Sequence, residues 1–301
     1  MAAGDKVKQP GHIQFGDELL LGPGTAFRWR TLTGWEELPG LDSGSVNRSD
    51  GHGSFPGRLL AQARTITCDE VIVRAPAARI GATLRDLNRA TPVDDVEQPL
   101  VVWLDDRGPL LAFARVIRRA VPVGVGYRVG TVLGAAIQWE ASDPRRYGLT
   151  MQRATTGLPQ PEPGLDWHDE PGPQGLVFPL DFGTPGMAGS TTARNEGDAE
   201  THPLIRISGP VSLPSITNVS TGLTLEYDID LARDDELLVD TAAGTVALNG
   251  TASRLGTATA RSVPEALFTL APGTSALLFR SAPGSTSTRA SCSLTWRSAY
   301  W

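Results

Sequence analysis

Few residues in this sequence of 301 could carry chemistry, and they lack the spacing that nucleotide binding or acyl transfer requires. A phosphate-binding loop needs a Gly-Lys pair, because the lysine reaches the outer phosphates, and no such pair occurs. Gly124, Gly126 and Gly130 have the wrong spacing for a dinucleotide loop, and no helical pattern follows them. A nucleophile elbow centres its serine in Gly-x-Ser-x-Gly, whereas Gly40–Gly44 places the serine one position late. We therefore predict no catalytic residue at these places.

Histidine and acidic residues offer two candidate metal sites, and neither has a recognised ligand spacing. His168, Asp169 and Glu170 could supply three ligands, but they lie in a Pro- and Gly-rich stretch where a solvated turn is the favoured interpretation. The second candidate is an acidic run: Asp228, Asp230, Asp234, Asp235 and Glu236. A calcium loop counted from Asp228 needs Gly at its sixth position and Glu at its twelfth, where Arg233 and Val239 stand. We predict no metal ion and no cofactor.

Paired carboxylates occur at Asp94-Asp95 and Asp105-Asp106, both in segments with the composition of turns. Aspartate is common in turns because its side chain accepts hydrogen bonds from nearby backbone N–H groups. A glycosidase needs two carboxyl groups roughly 5–10 Å apart across a cleft, a separation that sequence spacing does not reveal. We predict that the protein is not an enzyme, and a hydrolase on a β scaffold stays open as the least favoured alternative.

Cationic and aromatic residues are the remaining candidates for binding groups. The one notable cationic cluster is Arg115, Arg118 and Arg119. It could meet an acidic partner surface, but an exposed strand end is the favoured interpretation. Three tryptophans fall on apolar strand faces: Trp29, Trp139 and Trp296. Core packing is therefore favoured for them over a platform on which sugars stack.

Composition argues against nucleic acid and membrane as main partners. The net charge is −6, so we expect no sequence-specific nucleic acid binding. Lysine occurs only at Lys6 and Lys8 and every other basic residue is arginine, which a GC-rich genome explains better than a binding role. Cys68 and Cys292 lie in strand-like stretches, where core thiols are favoured over a disulfide. No signal peptide and no membrane segment is predicted.

The elements that must position these residues are mainly β-strands. The sequence has 33 Gly and 23 Pro scattered between short apolar runs, which is typical of a β protein with many turns. One amphipathic helix is predicted over Ala77–Ala90, where Ile80, Leu84 and Leu87 recur at helical spacing. The residues from Gly40 to Gly57 are predicted to form a polar loop. In the last predicted strand, Ala290–Trp301, the residues Cys292, Leu294 and Trp296 point inward.

Two domains are expected from the length and from a shift in composition. Residues 157–175 contain five Pro and four Gly with almost no apolar periodicity, so we predict a linker there. It separates an N-terminal domain, 1–156, from a C-terminal domain, 176–301. Both have the short, regularly spaced strands of a β-sandwich, and the first adds the helix.

The order of these features resembles a known family, the siphovirus-type distal tail proteins of bacteriophages. In the first half the resemblance rests on Gly34-Trp35, Gly51-His52-Gly53, Ala63-Arg64-Thr65-Ile66 and the helix Arg79–Arg89. In the second half it rests on a longer series: Ile207–Pro210, Pro214–Asn218, Gly222, Leu238–Asp240, Gly244–Val246, Asn249-Gly250, Phe268–Gly273 and Leu294–Trp301. The second half matches better than the first.

This resemblance implies a ring-forming N-terminal β-sandwich with one helix and a galectin-like, jelly-roll C-terminal β-sandwich. It implies a homohexameric ring that connects the tail tube protein to the tail-tip hub, a tail-associated lysin-like protein, and surrounds the DNA channel. The C-terminal domains would project outward and could carry receptor-binding proteins. The expected location is the tail tip of the virion, after synthesis in the host bacterial cytoplasm.

Two further hypotheses stay open from the sequence. A carbohydrate-binding module that attaches to a bacterial cell-wall glycan is the main alternative, and it predicts exposed aromatic residues on the second domain. The aromatic pair Tyr300-Trp301 is unusual at the end of a sequence, since termini are normally polar and frayed. We hypothesise that this pair is packed or lies in an interface.

Overall fold

A computed structural model describes residues 3–160, 188–283 and 287–301. Mainly β structure is confirmed, and the described residues contain one α-helix. The chain divides into two compact units, the first ending at Leu149 and including Tyr300–Trp301, and the second comprising Thr150–Ala299. The division comes before the boundary predicted after residue 156, because a strand at Gln152–Gly157 pairs with Ser291–Trp296. Of the predicted linker, 161–175 lies outside the described residues.

The first unit is built from strands at both ends of the sequence. Its strands are β1 (His12–Phe15), β2 (Leu19–Leu21), β3 (Phe27–Arg28), β4 (Thr31–Thr33), β5 (Leu41–Ser43), β6 (Val46–Asn47), β7 (Ser54–Phe55), β8 (Leu59–Ala61), β9 (Arg64–Arg74), β10 (Gln98–Trp103), β11 (Leu110–Ala120), β12 (Thr131–Ala141) and β13 (Arg146–Gly148). The strand β26 (Ala299–Tyr300) returns the chain to this unit and pairs with β13.

A single ten-stranded sheet folds around the core of the first unit. Its order is β2-β1-β10-β11-β12-β9-β3, with β13 on β11 and β4 on β9. The first half of β11 pairs with β10 and its second half with β12, and the register shifts between Val116 and Arg118. Such a bulge bends a strand, which lets one sheet provide both layers. Phe15 and Trp139 meet inside, with ring centroids 5.8 Å apart.

The helix α1 (Ile80–Ala90) confirms the helix predicted from apolar spacing, and the preceding Ala77–Arg79 forms a 3₁₀ turn. Ile80 and Leu87 are buried against the sheet, whereas the opposite face is polar. The guanidinium of Arg119 donates hydrogen bonds to the carbonyl oxygens of Asn88 (3.3 Å) and Thr91 (2.8 Å) at the carboxyl end of α1. A cation at this end satisfies free carbonyl groups and opposes the helix dipole.

The second unit is a two-layer β-sandwich. Its strands are β14 (Gln152–Gly157), β15 (Ser190–Asn195), β16 (Leu204–Ser208), β17 (Val211–Ser212), β18 (Ser215–Asn218), β19 (Leu223–Glu226), β20 (Asp230–Leu231), β21 (Glu236–Asp240), β22 (Thr245–Leu248), β23 (Ala252–Ser253), β24 (Gly273–Arg280) and β25 (Ser291–Trp296). One layer has the order β14-β25-β16-β21-β22-β23 and the other β15-β24-β18-β19.

The core of the second unit lies between these layers and contains the inward residues predicted for the last strand, Cys292, Leu294 and Trp296. That strand ends at Trp296, earlier than predicted, and the chain pairs again only in β26. Apolar and polar residues also alternate in the sequence from Leu223 to Leu231, which predicts one strand, but the structure divides this segment between β19 and β20. Tyr227 leaves the sheet between them, and its hydroxyl lies 3.2 Å from Glu265 Oε1 in the interior.

Candidate interaction surfaces

The acidic run of the second unit forms local contacts. Asp235 accepts hydrogen bonds from the side chain of Asn249 and from the backbone of Ala232, each at 2.9 Å, and these lower the pKa of its carboxyl. Glu236 lies 3.4 Å from Arg206. Across the described ranges, no group of three His, Cys, Asp or Glu side chains could hold a metal ion. The candidate ligands His168, Asp169 and Glu170 lie outside those ranges.

The carboxylates and the serine motif of the first unit lie in turns and in an exposed hairpin. Asp105 accepts hydrogen bonds from Arg107 at its turn, with the shortest at 2.6 Å, and hydrogen bonds from Arg107 lower the pKa of Asp105. Asp94 accepts a hydrogen bond from the backbone of Val96. Ser43 ends the short strand β5, whose next element is another strand rather than a helix. This geometry lacks the strand-to-helix turn of a nucleophile elbow.

The predicted arginine cluster separates into three different environments. Arg115 forms an ion pair with Glu140 at 2.9 Å across neighbouring strands. Arg119 caps α1, as described above. Arg118 is exposed and has no ion pair or hydrogen-bond partner among the described residues. Because two of the three have local partners, the strand-end interpretation accounts for the cluster better than a single cationic surface.

The three tryptophans and the two thiols that the sequence assigns to the core lie in it or against it. Trp139 and Trp296 are buried, and the half-buried Trp29 donates a hydrogen bond to the carbonyl oxygen of Gly11 at 2.8 Å. Cys68 and Cys292 are free and fully buried. Burial raises the pKa of both thiols to about 12, with the charge of Asp69 adding to the effect at Cys68. Neither thiol is suited to act as a nucleophile near neutral pH.

The second unit presents no aromatic platform within the described ranges. Its four aromatic side chains there are all buried: Tyr227, Phe268, Phe279 and Trp296. Sugar-binding surfaces commonly use an exposed ring, because the apolar face of a sugar stacks on it. The feature that the carbohydrate-binding hypothesis predicts is therefore missing from these residues.

The most conspicuous surface of the first unit is a hairpin arm formed by residues 41–61. The sequence predicts a polar loop over Gly40–Gly57, and this prediction is wrong because the segment folds into paired strands. β5 pairs with β8, and β6 pairs with β7. The arm exposes five large apolar side chains: Leu41, Val46, Phe55, Leu59 and Leu60. A two-stranded hairpin with exposed apolar side chains gains little stability alone, so this composition favours burial against another surface.

The base of the arm is anchored by the buried side chain of Arg64. Its guanidinium donates hydrogen bonds to the carbonyl oxygens of Gly34, Trp35 and Glu37, at 2.8, 3.0 and 2.7 Å. Its Nε donates a fourth, of 2.6 Å, to the carbonyl oxygen of Pro144. Burial, and then the nearby charge of Arg146, lowers the pKa of Arg64 to about 10. Arg64 therefore stays charged at neutral pH and fixes the loop from which the arm leaves the body.

A second layer of contacts surrounds this anchor. Arg146 lies over the ring of Trp35, 5.7 Å from the ring centroid, and forms an ion pair with Glu36 at 2.8 Å. Arg146 also donates a hydrogen bond to the carbonyl oxygen of Trp301. Gly34 has φ +77°, and a Cβ there would collide with the carbonyl oxygen of Thr65. The Gly34-Trp35 pair is thus required by close approach of the backbone, and Trp301 is held within the first unit.

Further apolar side chains are exposed where β11 leads through a 3₁₀ turn into β12. They are Ile117, Val123, Val125, Val129 and Leu133. Alternation of apolar residues from Tyr127 to Trp139 predicts a strand with Val129 and Leu133 on its buried face, and this prediction is wrong because both side chains are exposed. The strand begins at Thr131, and its register against β9 shifts between Val132 and Ala135, which reverses the side of the sheet.

Residues 196–300 match the family model described as siphovirus-type tail component, C-terminal domain. The resemblance is to a phage tail component. The resemblance predicted from the sequence is thereby confirmed, and the match lies in the second unit, where the sequence motifs were denser. No curated protein matches the chain by sequence.

Solved structures extend the likeness over nearly the whole chain. The crystal structure of SPP1 Dit (gp 19.1), described as a paradigm of the hub adsorption apparatus in phages infecting Gram-positive bacteria, is 13% identical. The match covers 95% of this chain and 97% of that one, with a TM-score of 0.62. The phage P2 baseplate in its activated conformation with Ca has a chain 10% identical, covering 94% and 97%, with a TM-score of 0.49. The likeness to SPP1 Dit shows a shared fold across both units.

No helix in the described part of the chain is long and apolar enough to span a membrane.

Proposed function

We propose that this protein is a structural component of a phage tail tip. Six copies form a ring that connects the tail tube to the tail-tip hub and surrounds the DNA channel. The match of residues 196–300 to a tail-component family carries this proposal. The fold shared with SPP1 Dit supports it over both units. In this role the chain works by assembly and not by catalysis.

The exposed apolar arm supports the assembly step of the proposal. An arm that leaves one copy and lies on a different surface of the next forms a heterologous contact, which closes into a ring when the rotation between copies is right. The side chains of Phe55, Leu59 and Leu60 would become buried in that contact. Arg64 would keep the arm in one direction, so that each copy presents it in the same way.

The net charge of −6 suits a protein that surrounds a channel for DNA, since a conduit should not hold its cargo tightly. The ring would contact the tail tube protein on one side and the hub protein on the other. The second units would project outward and could carry receptor-binding proteins. The protein would then reside at the tail tip of the virion, after synthesis in the host cytoplasm.

The solution mass of the purified full chain, measured by light scattering over a range of concentrations, tests the proposal. One copy has a mass of 31.9 kDa, so six copies give about 191 kDa. Images of the same sample by electron microscopy should contain rings with six-fold symmetry. A mass of one or two copies at every concentration, without rings on incubation with the tail tube protein, would contradict the six-copy ring.

A carbohydrate-binding module that attaches to a cell-wall glycan is the alternative function. The buried positions of Tyr227, Phe268, Phe279 and Trp296 do not favour it. Retention of the full chain on insoluble cell-wall glycan, competed by soluble glycan, would favour this alternative.

A further inference from the structure

The outward face of the six-stranded layer in the second unit contains a small cavity that no role described so far uses. Its volume is about 180 Å³, and its lining combines two arginines with two hydroxyl groups and one leucine: Arg153, Arg206, Ser293, Thr295 and Leu204. No aromatic side chain lines it. The donors in this lining are suited to a small anion rather than to an apolar ligand.

Strand register explains why the two arginines face one space. β25 lies between β14 and β16, where Thr295 pairs with both Arg153 and Leu204, and Ser293 pairs with Arg206. Neighbouring strands are about 4.8 Å apart, so β14 and β16 are separated by roughly 10 Å. Two long arginine side chains on these strands can both reach a group held above β25. The hydroxyls of Ser293 and Thr295 form the floor.

The polar groups of the cavity retain capacity for a ligand. Arg153 is exposed and has no ion pair or hydrogen-bond partner among the residues that the structure describes. The hydroxyl of Ser293 is also without a hydrogen-bond partner in that part of the chain. Thr295 donates a long hydrogen bond of 3.4 Å to the carbonyl oxygen of Leu204. Arg206 lies 3.4 Å from Glu236, and both side chains are well exposed, so the pair is weak and can be exchanged.

The charges around the cavity favour binding of an anion over β14, β25 and β16 rather than over β21. Glu236 and Asp240 stand on β21, beyond β16, on the same outward face as Arg206. Asp240 accepts hydrogen bonds from the backbone N–H groups of Ala242 and Ala243, which occupy one of its oxygens. The positive region is therefore the area over β14, β25 and β16, away from these carboxylates.

We propose that this cavity binds a phosphate group, either as the free ion or as a monoester on a sugar. A phosphate monoester carries a charge of about −1.5 to −2 and three acceptor oxygens, which match two guanidinium groups and the Ser293 hydroxyl. A carboxylate has a single charge and two oxygens, so it would leave donors unpaired. The site lies in the second unit and does not depend on ring formation.

Titration of the full chain into inorganic phosphate, followed by ³¹P NMR line width, tests the proposal, and glucose 6-phosphate serves as the sugar monoester. The double variant Arg153→Gln/Arg206→Gln should weaken binding at least ten-fold, whereas Ser293→Ala should weaken it a few-fold. Arg233→Gln is the matched control, because Arg233 is an exposed arginine of the same unit that does not line the cavity. Circular dichroism should be unchanged in all three variants.

Each outcome of the titration decides the proposal. Broadening with either phosphate probe that the double variant abolishes and Arg233→Gln retains supports it, and the better probe distinguishes the free ion from the sugar monoester. Broadening that is equal in the double variant and in the Arg233→Gln control overturns it, as does the absence of broadening with both probes. Complete displacement of phosphate by an equal concentration of acetate also overturns it, because the site would then be one for carboxylates.

Discussion

The two units of the molecule have similar interiors and different surfaces. The described part of the first unit exposes fifteen large apolar side chains: Leu38, Leu41, Val46, Phe55, Leu59, Leu60, Val93, Val96, Phe113, Ile117, Val123, Val125, Val129, Leu133 and Trp301. The described part of the second unit exposes four: Met151, Val219, Leu255 and Leu267. Each unit nevertheless encloses an extensive apolar core. Among the described residues, exposed apolar surface is therefore concentrated in the first unit, and we expect its contacts with other protein there.

The two units also differ in how much of their polypeptide joins the main sheets. The second unit places its described strands in two layers over one core, with one additional short pair, β17 and β20. In the first unit, residues 41–61 form an arm whose strands pair only with one another. Chain that neither joins the main sheet nor fills the core adds little to the stability of one copy. The simplest explanation of such a segment is that it packs against a surface of another molecule.

Replacing the apolar side chains of the arm should have the largest effect. The variant Phe55→Ser/Leu59→Ser/Leu60→Ser should convert a species of six copies into single chains of 31.9 kDa. Burying three such side chains contributes about 5 kcal/mol or more per contact, which the serines remove. Light scattering at fixed concentration measures the change, and circular dichroism checks that the body stays folded.

The matched control carries the same change on the second unit. Val219→Ser/Leu255→Ser/Leu267→Ser replaces three exposed apolar residues there. This control should keep the mass of the unmodified protein. If both triple variants dissociate equally, or if only the second-unit variant dissociates, the assignment of assembly to the first unit is wrong.

Removing the anchor of the arm should have the next largest effect. Arg64→Ala leaves four carbonyl oxygens without their charged donor in the interior, and we expect the first unit to lose about 3–5 kcal/mol of unfolding free energy. Urea unfolding measures the loss. Arg58→Ala, at an exposed arginine within the arm, should change stability by less than about 0.5 kcal/mol. Equal losses in both variants would contradict the anchoring role of Arg64.

The contacts of Arg64 and the strands of the arm could not be predicted from the sequence. Arg64 acts on carbonyl groups at Gly34, Trp35, Glu37 and Pro144, and the last is 80 positions away. The alternation of its strand places Arg64 on the same face as Ile66 and Cys68, but no local pattern shows which carbonyl groups it contacts. The part of the arm up to Gly57 was predicted as a loop because its strands are two or three residues long, too short for a period to appear. Leu59 and Leu60, adjacent to a polar stretch, are the one signal that could have indicated a contact surface.

Elements long enough to show a clear apolar periodicity were predicted more accurately. The helix followed from three apolar residues at helical spacing, and the inward face of β25 followed from strict alternation. Val129 and Leu133 were misplaced because a shift of register reverses the face of a strand, and such shifts depend on the partner strand. For the phosphate cavity, Arg153 and Arg206 come together only through pairing of β14 and β16 with β25. Core residues could therefore be predicted from local sequence patterns. The exposed apolar side chains and the phosphate cavity could not, because they depend on which strands pair.

Alkaline pH should reduce the stability of each unit through its one buried thiol. The ordinary pKa of a cysteine is 9.0, and burial raises that of Cys68 and Cys292 to about 12. Between these values the unfolded chain loses the thiol protons and the folded chain keeps them, so stability falls as pH rises. We expect each thiol to cost about 1.4 kcal/mol on moving from pH 8 to pH 10.

Single cysteine variants assign this loss to its unit. Cys68→Ala should reduce the alkaline loss of the first unit only, and Cys292→Ala that of the second unit only, measured by urea unfolding at pH 8 and pH 10. Other groups that ionise in this range are present in all the proteins compared and cancel. An unchanged difference between the two pH values in both variants would contradict burial as the cause of the raised pKa values.

The smallest expected effect distinguishes two adjacent arginines on β11. Arg119 caps the carboxyl end of α1 through the carbonyl oxygens of Asn88 and Thr91 and the hydroxyl of Thr91, whereas Arg118 is exposed. Arg119→Ala should therefore destabilise the first unit by about 1 kcal/mol, because the helix end loses both a donor and a favourable charge. Arg118→Ala removes the same charge one position away and should have almost no effect on urea unfolding. If Arg118→Ala were as destabilising as Arg119→Ala, the net charge of the strand end would be responsible rather than the cap. If only Arg119→Ala destabilises, and the second unit unfolds unchanged, the helix contributes to the stability of the first unit alone.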